Sequence, residues 1–137
     1  MIVADTGAIV ALVDQDDRHH QTLRGAFEAD PGAWILPWAI LPEVDHILAS
    51  RLGSAVARSF RADVASGAWA VEWNGGSDVE RARDLDAANA DLELGLVDAV
   101  VMAVAERLGA RAIATLDLRD FAAVTLRTDP ELWPRDL

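Results

Sequence analysis

Residues 1–14 read MIVADTGAIVALVD. Ile2 to Asp5 forms a short, mostly apolar run that ends in a carboxylate, and a second apolar run spans Ala8 to Val13. The first run has the length of a buried strand, and the second continues with helical spacing. Thr6 stands between them as a helix-capping residue. A charge placed at this junction, with apolar residues on both sides, is costly unless something compensates it. Asp5 therefore either caps the helix or holds a cation.

The same alternation continues outward from this stretch. A helix is expected over His20 to Ala29, stopped by Asp30-Pro31-Gly32, and a second strand over Ala33 to Pro37. Helices follow near Pro42 to Arg51 and Ser54 to Ser66, punctuated by Gly53 and Gly67. Ala68 to Trp73 reads as a third strand, with Trp69, Val71 and Trp73 on one face and Glu72 on the other. That pattern suits an edge strand with one wetter face. Asn74-Gly75-Gly76 forms a turn, and Ser77 caps a helix through about Ala90. Leu96 to Leu108 is a strongly apolar helix ended by Gly109. Arg111 to Thr115 is a fourth strand, and Ala123 to Leu126 is a candidate fifth. Strands separated by helices imply βαβ units, hence an α/β fold of three layers: a central parallel sheet of four or five strands with helices on both faces.

At 137 residues the chain is expected to form one domain with a substantial core. A hydrophobic content of 52% excludes a disordered chain. No apolar stretch is long enough for a membrane span, and the N-terminus lacks the pattern of an export signal. Cysteine is absent, which fits a cytoplasmic protein. The formal net charge is −11, and all 12 basic residues are arginine. Such a chain is a poor generic binder of nucleic acid or anionic membrane, so a phosphate ligand would require a local basic patch or a metal ion.

In open parallel sheets, ligands bind beyond the carboxyl ends of the strands. Four acidic residues fall there. Asp5 ends the first strand. Glu43 follows Pro42, which favours a first helical turn, so it opens the helix after the second strand. Asp98, in GLVDAVVMAVAER, lies in the first turn of the helix leading to the fourth strand. Asp117, in ATLDLRDF, lies just past that strand. Acids are common in first helical turns because they complement the helix dipole. Four of them on one rim, however, repel one another by several kcal/mol at low dielectric. A hard divalent cation resolves that repulsion, and an all-carboxylate set suits Mg²⁺ or Mn²⁺.

Three segments, IVADTGAIVAL, LPEVDHIL and GLVDAVVMAVAERLGARAIATLDLRDF, together resemble the PIN domain and, within it, VapC-type toxins of bacterial toxin–antitoxin pairs. The resemblance extends over essentially the whole chain, as a single PIN domain of residues 1–137. It implies metal-binding, catalytic roles for Asp5, Glu43, Asp98 and Asp117, with Asp120 and Asp91 as alternatives for the fourth acid. Gly7 stands where family members often have Ser, which removes a hydroxyl but no ligand. The implied activity is Mg²⁺-dependent endoribonuclease, hydrolysing RNA by metal-activated water to leave a 5′-phosphate and a 3′-hydroxyl. The implied partners are an RNA substrate, a VapB-like antitoxin that places an arginine among the carboxylates, and a second copy of the chain. DNA would be contacted only through the antitoxin.

Arg18, His19, His20 and Arg24 form a small basic cluster that could meet RNA phosphates, although a solvated helix start is the favoured reading. Arg119 follows Asp117 closely enough to reach a scissile phosphate. His46 lies one turn after Glu43, but no His/Cys cluster supports zinc. Trp38 is better placed to stack a base, though packing is the favoured role, whereas Trp69 and Trp73 suit core or interface. Thr6 and Thr115 could each steady a ligand carboxylate. Two other functions are disfavoured. A HAD-type phosphatase needs a second Asp where Gly7 stands, and a Rossmann site needs a glycine-rich turn that ADTGAIVA lacks. A PIN-like binding module without catalysis is the remaining alternative, and it is disfavoured because all the acids are retained.

Overall fold

The computed structural model describes residues 1–137. Five strands, β1 (Ile2–Ala4), β2 (Trp34–Pro37), β3 (Ala70–Glu72), β4 (Ala112–Ala114) and β5 (Glu131–Trp133), alternate with seven α-helices. These are α1 (Thr6–Val13), α2 (His20–Ala29), α3 (Leu41–Leu52), α4 (Ser54–Ser66), α5 (Gly75–Ala88), α6 (Gly95–Leu108) and α7 (Leu118–Ala123). Every strand pair is parallel, in the order β3-β2-β1-β4-β5. The chain moves outward from β1 through β2 to β3, then returns across the sheet to β4 and β5. Right-handed crossovers therefore place α5 and α6 on the face opposite α1 to α4. The direction reverses between β1 and β4, and the crevice above a reversal is where α/β sheets bind ligands.

The core follows from the apolar runs. Residues Ile2 to Ala4 and Ala112 to Ala114 are buried, as befits central strands covered on both faces. In α6, seven consecutive residues from Ala99 to Ala105 are buried, so the helix is enclosed on all sides. It packs against β1, β2 and β4 on one side and α5 on the other. Trp34 is fully buried, with Phe27 edge-on at 5.6 Å and Trp133 at 6.4 Å. Across the α5–α6 contact run two forked ion pairs. Arg107 holds Asp78 through Nε at 2.8 Å and Nη2 at 3.1 Å, and Arg81 holds Glu106 at 2.7 and 3.0 Å. Glu106 also accepts the Arg127 backbone N–H at 2.8 Å.

The structure departs from the sequence expectation in several places. Asp5 itself occupies the N-cap of α1, its carboxylate accepting the Thr6 N–H, while Thr6 is the first helical residue. Ala123 to Leu126 is not a strand: Ala123 ends α7, and the fifth strand is Glu131–Trp133, framed by Pro130 and Pro134. α5 starts at Gly75, before Ser77, without a side-chain cap. A Cβ at Gly75 would lie 3.6 Å from the Trp38 indole, so this start packs onto that ring. Trp38 is accordingly a packing residue rather than a free stacking platform.

Gly7, in the first turn of α1, leaves room for a side chain. An added Cβ would meet Leu116 at 3.5 Å, an ordinary contact. Gly7→Ala should therefore stabilise the protein by about 0.5–1 kcal/mol, through reduced freedom of the unfolded chain. Urea denaturation would measure it, and a loss of stability would show that the α1–Leu116 contact is tighter than the distance indicates.

Candidate metal centre

The crevice between β1 and β4 is built from the ends of those strands. The Asp5 N–H donates to the Ala114 carbonyl at 2.8 Å, which continues the β1–β4 ladder to the last residue before α1. Asp5 is 6% exposed, and both its carboxylate oxygens are held. Oδ1 accepts the Thr6 N–H at 2.8 Å, and Oδ2 accepts the hydroxyl of fully buried Thr115 at 2.9 Å. The Thr115 Oγ1 in turn accepts the Asp117 N–H at 3.1 Å. Asp117 caps α7, its Oδ1 accepting the Asp120 N–H at 3.3 Å. One hydroxyl thus fixes the carboxylate after β1 to the turn after β4.

Asp98 enters from α6. The chain turns into that helix through Glu93 and Gly95, both in left-handed backbone conformation at φ 53° and 75°. Carboxylate oxygens of Asp98, Asp117 and Asp120 lie within 4.8 Å of one another. Asp5 and Glu43 stand outside that trio but act on it electrostatically. Asp98 is pushed up to about 7, first by burial and then by the charges of Asp5, Asp117, Asp120 and Glu43. Asp5 is also raised, chiefly by burial, against the lowering effect of its two hydrogen bonds. Glu43 lies exposed in the first turn of α3.

Of the acids expected at the rim, Asp5, Glu43, Asp98 and Asp117 thus share one electrostatic neighbourhood. Asp120, ranked below Asp117 on sequence, joins Asp98 and Asp117 in the tightest group. The spacing Asp117-x-x-Asp120 is the signal for it, because residues three apart on a helical turn share a face. Asp91 is exposed in the 3-10 turn Ala90–Leu92 and lies outside the trio. Arg119 is 80% exposed and lies 3.9 Å from Asp120 Oδ1. The basic cluster divides. His20 is buried, with Nδ1 2.8 Å from the Ala11 carbonyl, so it ties α2 to α1 instead of meeting a ligand. Arg24 pairs with Glu28 on the surface. His46 is exposed, away from any His or Cys partner.

The donor set fits a hard divalent cation. It offers oxygen only, its charges are crowded enough to drive one acid toward neutrality, and the buried Asp120 Oδ1 has no hydrogen-bond partner.

A parallel sheet with carboxylates gathered at its point of reversal defines an acidic-rim α/β protein. The chain belongs to the PIN domain family, whose model matches residues 2–125. It is 27% identical over 123 residues to Ribonuclease VapC26 of Mycobacterium tuberculosis, a match spanning 90% of this chain and 91% of that protein. Among solved structures it is similar to M. tuberculosis VapC20, described as a Sarcin-Ricin loop cleaving toxin. That match has a TM-score of 0.79 and 23% identity, covering 91% of this chain and 97% of that one. VapBC2 from Rickettsia felis, bound to a DNA fragment from its promoter, matches with a TM-score of 0.71 and 13% identity, covering 97% of this chain and 99% of that one. These structural likenesses establish the fold. No helix is long and apolar enough to cross a membrane.

Proposed function

We propose that this protein is a Mg²⁺-dependent endoribonuclease, the toxin of a VapBC-type toxin–antitoxin pair. The observation that carries the proposal is the carboxylate group at the β1–β4 reversal of a PIN fold. The relative named as a ribonuclease supports it. Asp98, Asp117 and Asp120 would hold the ion, with Asp5 and Glu43 completing the negative field. When bound, a cation of this class lowers the pKa of a coordinated water and draws charge from a phosphodiester. Asp5, locked by Thr6 and Thr115, keeps its remaining lone pairs fixed in direction. The Thr115 hydroxyl prevents the β4 turn from drifting away from β1. The net reaction adds water across the P–O3′ bond: the water oxygen joins phosphorus, and its proton ends on the 3′ oxygen. The products are a 5′-phosphate and a 3′-hydroxyl.

The proposed partners are a VapB-like antitoxin and a second copy of the chain, in the cytoplasm. A guanidinium from the antitoxin would match the carboxylate group two-pronged and displace the ion. Purified protein should cut 5′-labelled single-stranded RNA in Mg²⁺, stop in EDTA and resume when Mg²⁺ is restored. RNA left intact by stoichiometric protein, in both Mg²⁺ and Mn²⁺, would refute the assignment.

A further inference from the structure

Of the 12 arginines, eight lie within 4.0 Å of a carboxylate: Arg24, Arg61, Arg81, Arg83, Arg107, Arg119, Arg127 and Arg135. Arg111 stacks over the Trp133 ring at 5.4 Å. Arg18, Arg51 and Arg58 have neither a carboxylate nor a ring partner. Of these three, Arg18 lines a cavity of about 320 Å³ that borders the acidic rim. Its walls come from three separate segments: Arg18, His19 and Thr22 around the start of α2, Thr115, Leu116 and Leu118 after β4, and Pro134 and Arg135 near the C-terminus. Leu116 and Leu118 flank Asp117, so the cavity and the carboxylate group share one short turn.

We propose that this cavity is a subsite for an RNA backbone phosphate next to the scissile one, with Arg18 as its cation. This rests on the ribonuclease reading given above. The physical need is plain: a cation among the carboxylates offsets their charge at one phosphate only, and neighbouring phosphates still face a chain of net charge −11. A phosphate path must therefore run where positive charge is free. The Arg18 Nε donates to His19 Nε2 at 3.1 Å, which anchors the guanidinium and leaves its terminal nitrogens available. Arg135 uses Nε and Nη2 on Asp136, at 2.6 and 2.8 Å, and keeps Nη1 free. The Thr22 hydroxyl adds a neutral donor. Leu118, 38% exposed, offers apolar surface beside them. Arg18 is a positioning residue here, remote from the reacting atoms.

The test is the salt dependence of RNA binding, measured by fluorescence anisotropy of a labelled single strand with the Asp98→Asn protein, so that the strand stays intact. Arg18→Ala should make the slope of log K against log salt shallower by about 0.7, the value for one phosphate contact on a single strand. Arg18→Lys should keep the parent slope, and Arg58→Ala on α4 should leave it unchanged. In the active protein, Arg18→Ala should raise KM for RNA with little change in kcat. An Arg18→Ala slope equal to the parent's overturns the subsite, even if affinity falls. So does a variant that binds RNA normally but loses an acidic protein partner. If the parent protein cleaves RNA while the slopes do not differ, only the subsite fails. If it neither binds nor cleaves RNA, the ribonuclease reading falls as well.

Discussion

Asp98→Asn should lower RNA cleavage by at least about a hundredfold, which is already the upper range for disturbing groups that merely orient metal ligands. The same change should stabilise the metal-free protein above neutral pH. Both effects have one cause. Asp98 sits in the tightest carboxylate group and is pushed up to about 7 by burial and by its acidic neighbours. In the unfolded chain it titrates near 3.8, so between these values the folded state holds a proton that the unfolded state has lost. Stability of the metal-free protein therefore falls as pH rises from about 4 through 7, and the penalty is fully present above that. Three units correspond to roughly 4 kcal/mol. Asp98 is only half-buried, and solvent screening brings the expected loss to about 1–2 kcal/mol. Chemical denaturation in EDTA at pH 5 and pH 8 would read it, and Asn at position 98 should remove most of the difference. Wild-type-level cleavage by Asp98→Asn in Mg²⁺ would end the functional assignment, because Asp98 is the α6 member of the tightest carboxylate group.

Arg107→Leu should destabilise the protein by about 3 kcal/mol or more, the largest effect expected from a residue outside the site. Its partner Asp78 has a side chain only 1% exposed and is forked by Nε and Nη2. Arg107 also reaches Glu72, at the end of β3, at 3.2 Å. Removing the guanidinium leaves a buried carboxylate with no counter-charge. Replacing both partners, as Asp78→Leu with Arg107→Leu, should restore much of the loss, since the buried charge goes with its partner. By contrast, breaking the exposed Arg24–Glu28 pair should cost less than about 0.5 kcal/mol. Urea melts of the four proteins would separate these cases. Equal effects at Arg107 and Arg24 would mean that the α5–α6 contact tolerates an unpaired Asp78.

The central strands were legible because burial on both faces leaves an unbroken apolar run, as in Ile2 to Ala4 and Ala112 to Ala114. Chain order then placed their carboxyl ends, and with them Asp5, Asp98 and Asp117, on one rim. β5 was not legible. It is three residues long, begins with exposed Glu131 and lies between prolines, so it has neither the length nor the alternation of a strand. The apolar stretch Ala123 to Leu126 drew the reading instead, although α7 ends there because its short length suffices to return the chain beside β5. Asp120 was underrated for a related reason. Without α7 in view, the three-residue spacing from Asp117 carried no directional meaning. For Asp5 the sequence offered two alternatives, cap or cation holder, and the structure shows the cap: one oxygen accepts the helix N–H while the other meets Thr115. The Asp78–Arg107 pair, 29 residues apart, has no local signature at all.

The hydrogen bond between Asp5 and Thr115 joins residues 110 positions apart, and this has a consequence for the timing of synthesis. During translation, Asp5 is made well before Asp117 and Asp120. At about 5–20 residues per second, the interval from Asp5 to Asp120 is roughly 6–23 seconds. Throughout it, β1 has no β4 beside it, Asp5 lacks the hydroxyl that fixes it, and the tightest carboxylate group does not exist. A growing chain on the ribosome therefore carries no finished centre. If the centre cuts RNA, as proposed above, the order of the residues along the gene spares the translation machinery that is producing it. Competence arrives only once β4 and α7 have followed β1 out of the ribosome.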